Sequence, residues 1–346
     1  MSLTAHLKDP GSPIRQFIRQ RFAQTTNITK IANPQLRSAG TINPGFPSWV
    51  YRHLGTAIDY RIRYSFTLTP ATRLAAWHAV PYLIVKGAED DNDLPFDWDE
   101  VPKGMLIFTP VDNDGAILVE AQGPYPMQLL NAFFTSLDAT VATMQPIGRR
   151  LERDEEHVLA RYCFVLALLE DVGRTGSYTH NLLMEPAPRR TVDELLAIAE
   201  DAWIDDLCAL STLFYDNYHH LLSLPFIPNP TFVGSDDIGG ADADIIVDGC
   251  LIEMKASIQP KINPQWLYQL VGYALLDYDD HYSIQSVGIY MARQGTLLQW
   301  PIGEFLRLLT GTESVSLFQL RQAFHTLSQS TKQVLYAGIK PMETHT

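Results

Sequence analysis

The pair Asp248-Gly249 constrains the fold of this chain more than any other local feature of its sequence. It separates two short runs of apolar, mostly β-branched residues, and an Asp-Gly pair in that setting is the strongest short-range signal of a β-hairpin. A two-residue turn at this pair fixes the register of the two strands. In that register Asp244 on the first strand faces Glu253 on the second.

Charged side chains gather on one face of this predicted hairpin. Side chains alternate between the two faces of a strand, so one face carries two residues from each strand: Asp242, Asp244, Glu253 and Lys255. Directly opposed residues have Cβ atoms about 5 Å apart, where like charges are destabilising. We therefore expect Asp244 and Glu253 to share a divalent metal ion and to take part in a reaction that the metal assists.

Two alternatives stay open for this face. The hairpin could present a polar surface to solvent, with Asp242 and Lys255 forming a surface ion pair. A register shifted by two residues would put Asp242 in the place of Asp244, because both side chains project from the same face.

A helix is predicted directly after the hairpin. Asn263 is a good N-cap and Pro264 suits the first helical position, and the apolar pattern continues to Asp277. Two strands are predicted beyond it, at Ser286–Arg293 and Thr296–Trp300. Polar residues recur at every fourth position of the helix, either as part of a site or as an exposed stripe: Gln265, Gln269 and Tyr273.

This combination resembles the PD-(D/E)XK nuclease superfamily, and within it the branch of RecB-like nucleases with a Gln-x-x-x-Tyr motif. The hairpin and the helix supply the matching residues: Asp244, Glu253-Met254-Lys255, Gln269 and Tyr273. The branch also has an upstream Gly-x-x-x-acid element. Gly55 and Asp59 resemble it, on a helix predicted from about Trp49 to Phe66.

The resemblance implies an α/β fold with a restriction-endonuclease-like core, a mixed central sheet flanked by helices. About 180 residues separate the upstream element from the hairpin, so the core would be split by a large, mostly helical insertion. The expected division is 1–70 for basic N-terminal helices of the core, 71–225 for the insertion and 226–346 for the catalytic part.

The resemblance also implies roles for individual residues. Mg²⁺ or Mn²⁺ would be held by oxygen ligands from four residues: Asp244, Glu253, the carbonyl of Met254, and Asp59. Lys255 would orient the attacking water or stabilise developing charge, while Gln269 and Tyr273 would position the substrate or Lys255. The implied activity is hydrolysis of DNA phosphodiester bonds, in restriction, repair or defence against mobile elements. The alternative is a non-catalytic nucleic-acid-binding or structural protein that keeps the fold.

The distribution of charge fits a nucleic-acid partner. The whole chain carries a net charge of −13, yet residues 1–88 hold eleven basic and two acidic residues, a net charge of +9. Such asymmetry indicates nucleic-acid contact. The candidates lie on a helix predicted to begin at Ser12-Pro13 and on the helix around Asp59: Arg15, Arg19, Arg21, Arg52, Arg61 and Arg63. These arginines could instead pair with acidic residues elsewhere in the chain.

Other sequence features bound the setting. Three widely spaced cysteines, Cys163, Cys208 and Cys250, argue against a disulfide framework, and no apolar run is long enough for a membrane helix. The sequence thus predicts a cytoplasmic protein without membrane contact. Cleavage of both DNA strands would favour a homodimer, and partner proteins of a defence or repair system would suit the implied activity.

The middle and the end of the chain show weaker patterns. A hairpin is predicted across 105–121, helices at 155–171 and 192–222, a rigid connector at Pro225–Pro230 and a C-terminal helix at Ser316–Ser330. The stretch 192–222 is long enough for two helices.

Overall fold

A computed structural model describes residues 2–68, 76, 127–175, 181–183 and 190–337. The chain divides into two compact units. The first consists of residues 1–43 and 223–346 and is called the sheet unit here. The second consists of residues 44–222 and is called the helical unit. The hairpin predicted across 105–121 lies outside the described residues.

The sheet unit contains a five-stranded mixed sheet with the strands in chain order across it. Neighbouring strands are antiparallel except for β3 and β4, which are parallel. The strands are β1 (Phe226–Pro228), β2 (Ile245–Val247), β3 (Cys250–Lys255), β4 (Ser286–Met291) and β5 (Thr296–Pro301).

Helices make up most of the remaining described chain. They are α1 (Leu3–Lys8), α2 (Pro13–Arg21), α3 (Thr25–Ser38), α4 (Ser48–Tyr64), α5 (Met127–Met144), α6 (Arg153–Thr175), α7 (Val192–Leu196), α8 (Asp201–Tyr218), α9 (Pro264–Leu276), α10 (Ile302–Thr310) and α11 (Leu317–Ala337). Short 3₁₀ turns occupy His219–Ser223, Ser235–Ile238 and Ala292–Gln294. No helix in this described part of the chain combines the length and apolarity needed to cross a lipid bilayer.

Helix α9 organises the core of the sheet unit. It joins β3 to β4, as a parallel pair requires a crossover connection. Nine of its thirteen residues are buried, because α1, α2, α3 and α11 pack around it while β3 lies beneath it. The start of α9 is as predicted, since Pro264 stands at the first helical position and the Asn263 side chain accepts a hydrogen bond from the Gln265 amide, 3.0 Å away.

The helical unit has its own buried interior. Helix α4 packs against α6 and α8, and Trp49 of α4 meets Trp203 of α8 edge-on, with ring centroids 5.4 Å apart. Arg61 of α4 is buried and binds Glu156 of α6 through two hydrogen bonds of 2.7 and 2.6 Å.

The predicted α/β class, with a mixed sheet flanked by helices, is confirmed. Two details differ. The segment 225–230 is not simply a connector, because Phe226–Pro228 pairs with β2 as an edge strand, a place where a sheet tolerates proline. The helical unit begins at residue 44, so α4 groups with the helices of the middle segment and not with the core. The stretch 192–222 does break into two α-helices and a 3₁₀ turn.

Candidate active site

The hairpin adopts the predicted register. Ile246 pairs with Leu251 and Val247 with Cys250 across the turn. Asp248 and Gly249 both have positive φ, 47° and 71°, the conformation of a type I′ turn, which matches the natural twist of two antiparallel strands. The turn therefore determines which residues meet further along the hairpin.

Asp244 lies just before β2, and its side chain reaches across to β3. The half-buried carboxylate accepts a hydrogen bond from the backbone N–H of Met254, with Oδ2 2.5 Å from the nitrogen. Asp242 is exposed and belongs to an isolated bridge with Thr231. The structure thus brings Asp244, and not Asp242, to the segment that carries Glu253 and Lys255.

Glu253 and Lys255 lie two residues apart at the C-terminal end of β3 and project from the same face. Glu253 is 3% exposed, and Lys255 Nζ forms an ion pair with Glu253 Oε1. A carboxylate buried to this extent is costly unless a cation or hydrogen-bond donors compensate it. Lys255 provides that compensation and remains partly accessible.

Gln269 and Tyr273 extend this cluster onto α9. Lys255 Nζ donates to Gln269 Oε1 over 3.4 Å, and Gln269 Nε2 donates to the Tyr273 hydroxyl over 2.7 Å. Burial raises the pKa of Tyr273 well above its ordinary value, and the charges of Glu253 and Asp244 add to this effect. The phenol therefore stays protonated at neutral pH and can serve as a fixed hydrogen-bonding group.

The β1–β2 loop holds two residues that sequence reasoning missed. Phe232 stacks on the Tyr273 ring, with centroids 5.7 Å apart and an interplanar angle of 21°. Ser235 Oγ accepts from the Phe232 amide at 2.9 Å and donates to the Ala241 carbonyl at 2.6 Å. These bonds shape the loop that leads into Asp244. A lone serine and a lone phenylalanine in a loop carry no sequence signal for such a role.

The side chains fit a divalent cation through the chemistry of their donors. Asp244 and Glu253 offer hard carboxylate oxygens of the kind that Mg²⁺ and Mn²⁺ prefer, and Mg²⁺ is commonly held by one or two carboxylates with waters and phosphate. Among the described residues, no group of three or more His, Cys, Asp or Glu side chains is arranged to hold a metal ion. Asp59, the expected third ligand, lies on α4 of the helical unit, where it forms an ion pair with Arg63 at 2.8 Å.

The candidate nucleic-acid-binding arginines fall into separate environments. Arg19, Arg21 and Arg52 are exposed, and Arg15 is half-buried and donates to the Lys8 carbonyl. Arg61 and Arg63 are 2% and 1% exposed and are held by Glu156 and Asp59. The prediction that these two bind nucleic acid is therefore not supported, because ion pairs within the helical unit already occupy them.

Comparison of the chain with models of known protein families, with curated proteins and with solved structures finds no match.

Proposed function

We propose that this protein is a metal-dependent nuclease that hydrolyses phosphodiester bonds of DNA, with a restriction-endonuclease-like core in the sheet unit. The observation that carries the proposal is the convergence of Asp244, Glu253 and Lys255 at one end of the hairpin. Two acids and one lysine at the same end of a hairpin are suited to phosphodiester hydrolysis, because the reaction needs a cation site, a nucleophile and a group that stabilises negative charge.

In this proposal each residue has one task. Asp244 and Glu253 would hold Mg²⁺ or Mn²⁺, which when bound would polarise the scissile phosphate and favour deprotonation of the attacking water. The water oxygen would form a bond to phosphorus as its proton passes to bulk solvent, and the bond from phosphorus to the leaving oxygen would break as that oxygen takes a proton from solvent. Lys255 stabilises the charge that develops on the phosphoryl oxygens.

Gln269 and Tyr273 act as positioning residues through Lys255. The Gln269 amide can present its oxygen to Lys255 because its nitrogen is directed to the Tyr273 hydroxyl. The stacked ring of Phe232 keeps Tyr273 in place. The order of elements around the site supports the same fold assignment, since an antiparallel hairpin is followed by a helix and a strand parallel to β3.

The test is a cleavage assay on linear, circular and single-stranded DNA and on RNA, with Mg²⁺, with Mn²⁺ or with EDTA. We expect metal-dependent cleavage that is lost in Asp244→Ala and in Lys255→Ala, by a factor on the order of a hundred or more. Asp242→Ala is the matched control, because that carboxylate is exposed, and it should retain activity.

Two outcomes would contradict the proposal. Cleavage that persists in both Asp244→Ala and Lys255→Ala would show that the hairpin is not the active site. Tight DNA binding without cleavage under any metal would favour the non-catalytic alternative.

A further inference from the structure

Cations on the two helices after α1 flank the segment that connects Lys255 to Gln269; Arg19, Lys30 and Arg37 are exposed and Arg15 is half-buried. On α2, Arg15 and Arg19 stand four residues apart and are therefore neighbours on one side of the helix. The Arg19 guanidinium lies over the ring of Tyr268, 5.8 Å from its centroid, within the range of a cation–π contact. Tyr268 immediately precedes Gln269, so this side of α2 faces the beginning of α9.

A second row of cations lies on α3. Lys30 precedes Asn33 by three residues and Arg37 follows it by four, so the three side chains share a face of the helix. Asn33 Oδ1 accepts a hydrogen bond from the amide of Ile262 at 2.8 Å, which fixes that face against the loop between β3 and α9. Lys30 and Arg37 are both exposed.

These cations are not neutralised locally. Within the described part of the chain, Arg19, Lys30 and Arg37 form no ion pair with an acidic side chain. Residues 2–43 carry six basic residues and one acidic residue, whereas residues 223–337 carry eleven acidic and six basic residues. An acidic site would repel a polyanion, so cations beside it are needed to offset that repulsion.

We propose that two rows of cations hold the phosphate backbone of a nucleic acid beside the hairpin. One row is Arg15 and Arg19 on α2, and the other is Lys30 and Arg37 on α3. The inference rests on the proposed function and specifies which cations serve it. Lys30 and Arg37 are about 10 Å apart along the helix axis, a distance that spans several phosphates at about 3.4 Å per nucleotide. The surface therefore suits a polymer and not a single nucleotide.

Arg21 is excluded from this surface although it lies on the same helix. Its guanidinium stands over the ring of Phe17, 4.6 Å from the centroid. Phe17 in turn packs against Phe324 of α11, with centroids 5.5 Å apart. Arg21 is therefore on the opposite flank of α2, and this difference within one helix provides a matched control.

The experiment measures DNA binding by the full chain in EDTA, by fluorescence anisotropy over a range of NaCl concentrations. The test variant is Arg19→Gln with Arg37→Gln, and the control is Arg21→Gln with Arg307→Gln, which removes the same charge from the same unit. We expect the salt slope on duplex DNA to fall by about 2 in the test variant, since each phosphate contact contributes about 0.9, and to stay unchanged in the control. Arg19→Lys with Arg37→Lys should keep the slope, because the charges remain.

Equal losses in the test and control variants would show that only net charge matters, and an unchanged slope in the test variant would show that the rows do not bind DNA. Either result overturns the inference. Metal-dependent cleavage that is lost in Asp244→Ala would still support the proposed function. Conversely, the salt slope could fall in the test variant although the protein cleaves no DNA with any metal. That result would support the proposed binding surface and contradict the proposed nuclease activity. Absence of any DNA binding overturns the inference outright.

Discussion

At the scale of single residues, the ammonium group of Lys255 lies where a divalent cation bound to Glu253 would also lie. Its ammonium pairs with the buried carboxylate of Glu253, so metal binding at Glu253 competes with an existing positive charge. We expect Lys255→Met to bind Mn²⁺ about tenfold more tightly than the unchanged protein, about 1.4 kcal/mol, even though cleavage is lost. Isothermal titration calorimetry measures the affinity without requiring turnover.

Lys261→Met is the control for this change, because Lys261 is exposed and lies beyond the end of β3. It should leave the Mn²⁺ affinity unaltered. An affinity that is unchanged or weaker in Lys255→Met would show that the ammonium does not compete for Glu253 and that it supports the metal site instead.

Single residues also show where sequence reasoning reached its limit. The contact of Asp244 with the Glu253 segment followed from a local turn, so it could be predicted from a few neighbouring residues. The burial and ion pairing of Arg61 could not be predicted in this way, because its partner Glu156 is 95 positions away in the chain. A helical pattern places an arginine on a face but does not tell whether that face meets solvent or an acid from another element.

At the scale of elements, the turn of the hairpin sets the geometry of the site. Gly249 has a φ of 71°, a region that an L-residue with a Cβ adopts at a cost of about 1–2 kcal/mol. We expect Gly249→Ala to lower the free energy of unfolding by about that amount, measured by urea denaturation. The change should also reduce cleavage, because it disturbs the register that brings Asp244 to Met254.

Gly303→Ala provides the comparison for that prediction. Gly303 lies near the start of α10, its φ is not positive, and a Cβ there would meet no atom within 4 Å. Alanine in a helix is favoured over glycine by up to about 1 kcal/mol, so this variant should be as stable as the parent or more stable. Equal destabilisation in both variants would mean that the strain at the turn is not the cause.

Elements were predictable where their signals were local. The turn at Asp248-Gly249 and the cap at Asn263 each depend on neighbours in sequence, and both appear as expected. The sequence does not predict strand β1, because its short segment lies between prolines and prolines are typical of a connector. Its pairing with β2 comes from tertiary structure, since an edge strand needs hydrogen bonds on one side only.

At the scale of the whole molecule, the two units differ in how the chain builds them. The helical unit is one continuous stretch, 44–222, whereas the sheet unit combines two segments that this stretch separates. If the helical unit unfolds, the sheet unit must close a flexible loop of about 180 residues, which costs about 5 kcal/mol in chain entropy. The coupling is reciprocal, because the folded sheet unit holds the ends of the 44–222 stretch together and so stabilises the folded helical unit by the same amount.

This connectivity predicts that opening of the sheet unit also favours opening of the helical unit, and the cysteines can report it. Cys163 and Cys208 lie in the helical unit and Cys250 lies in β3. All three are free, and burial raises the pKa of Cys208 to about 12 and that of Cys250 to about 11. Burial likewise raises the pKa of Cys163. At neutral pH these thiols stay protonated and react slowly. Cys163 and Cys250 are buried and Cys208 is half-buried, so labelling of Cys163 and Cys250 requires local or global opening, and opening speeds labelling of Cys208.

Matched substitutions then separate the two directions of coupling. Arg61→Met leaves Glu156 buried without its cation, and Arg321→Met does the same to Asp277; each change costs about 3–5 kcal/mol in its own unit. Arg321→Met should speed labelling of Cys163 and Cys208 along with Cys250, because opening of the sheet unit removes the loop-closure cost from opening of the helical unit. Arg61→Met should speed labelling of Cys163 and Cys208 alone, because the sheet unit opens most easily while the helical unit is still folded. Mass spectrometry assigns the label to each cysteine, and equal effects in both directions would show that connectivity does not govern the stability of the two units.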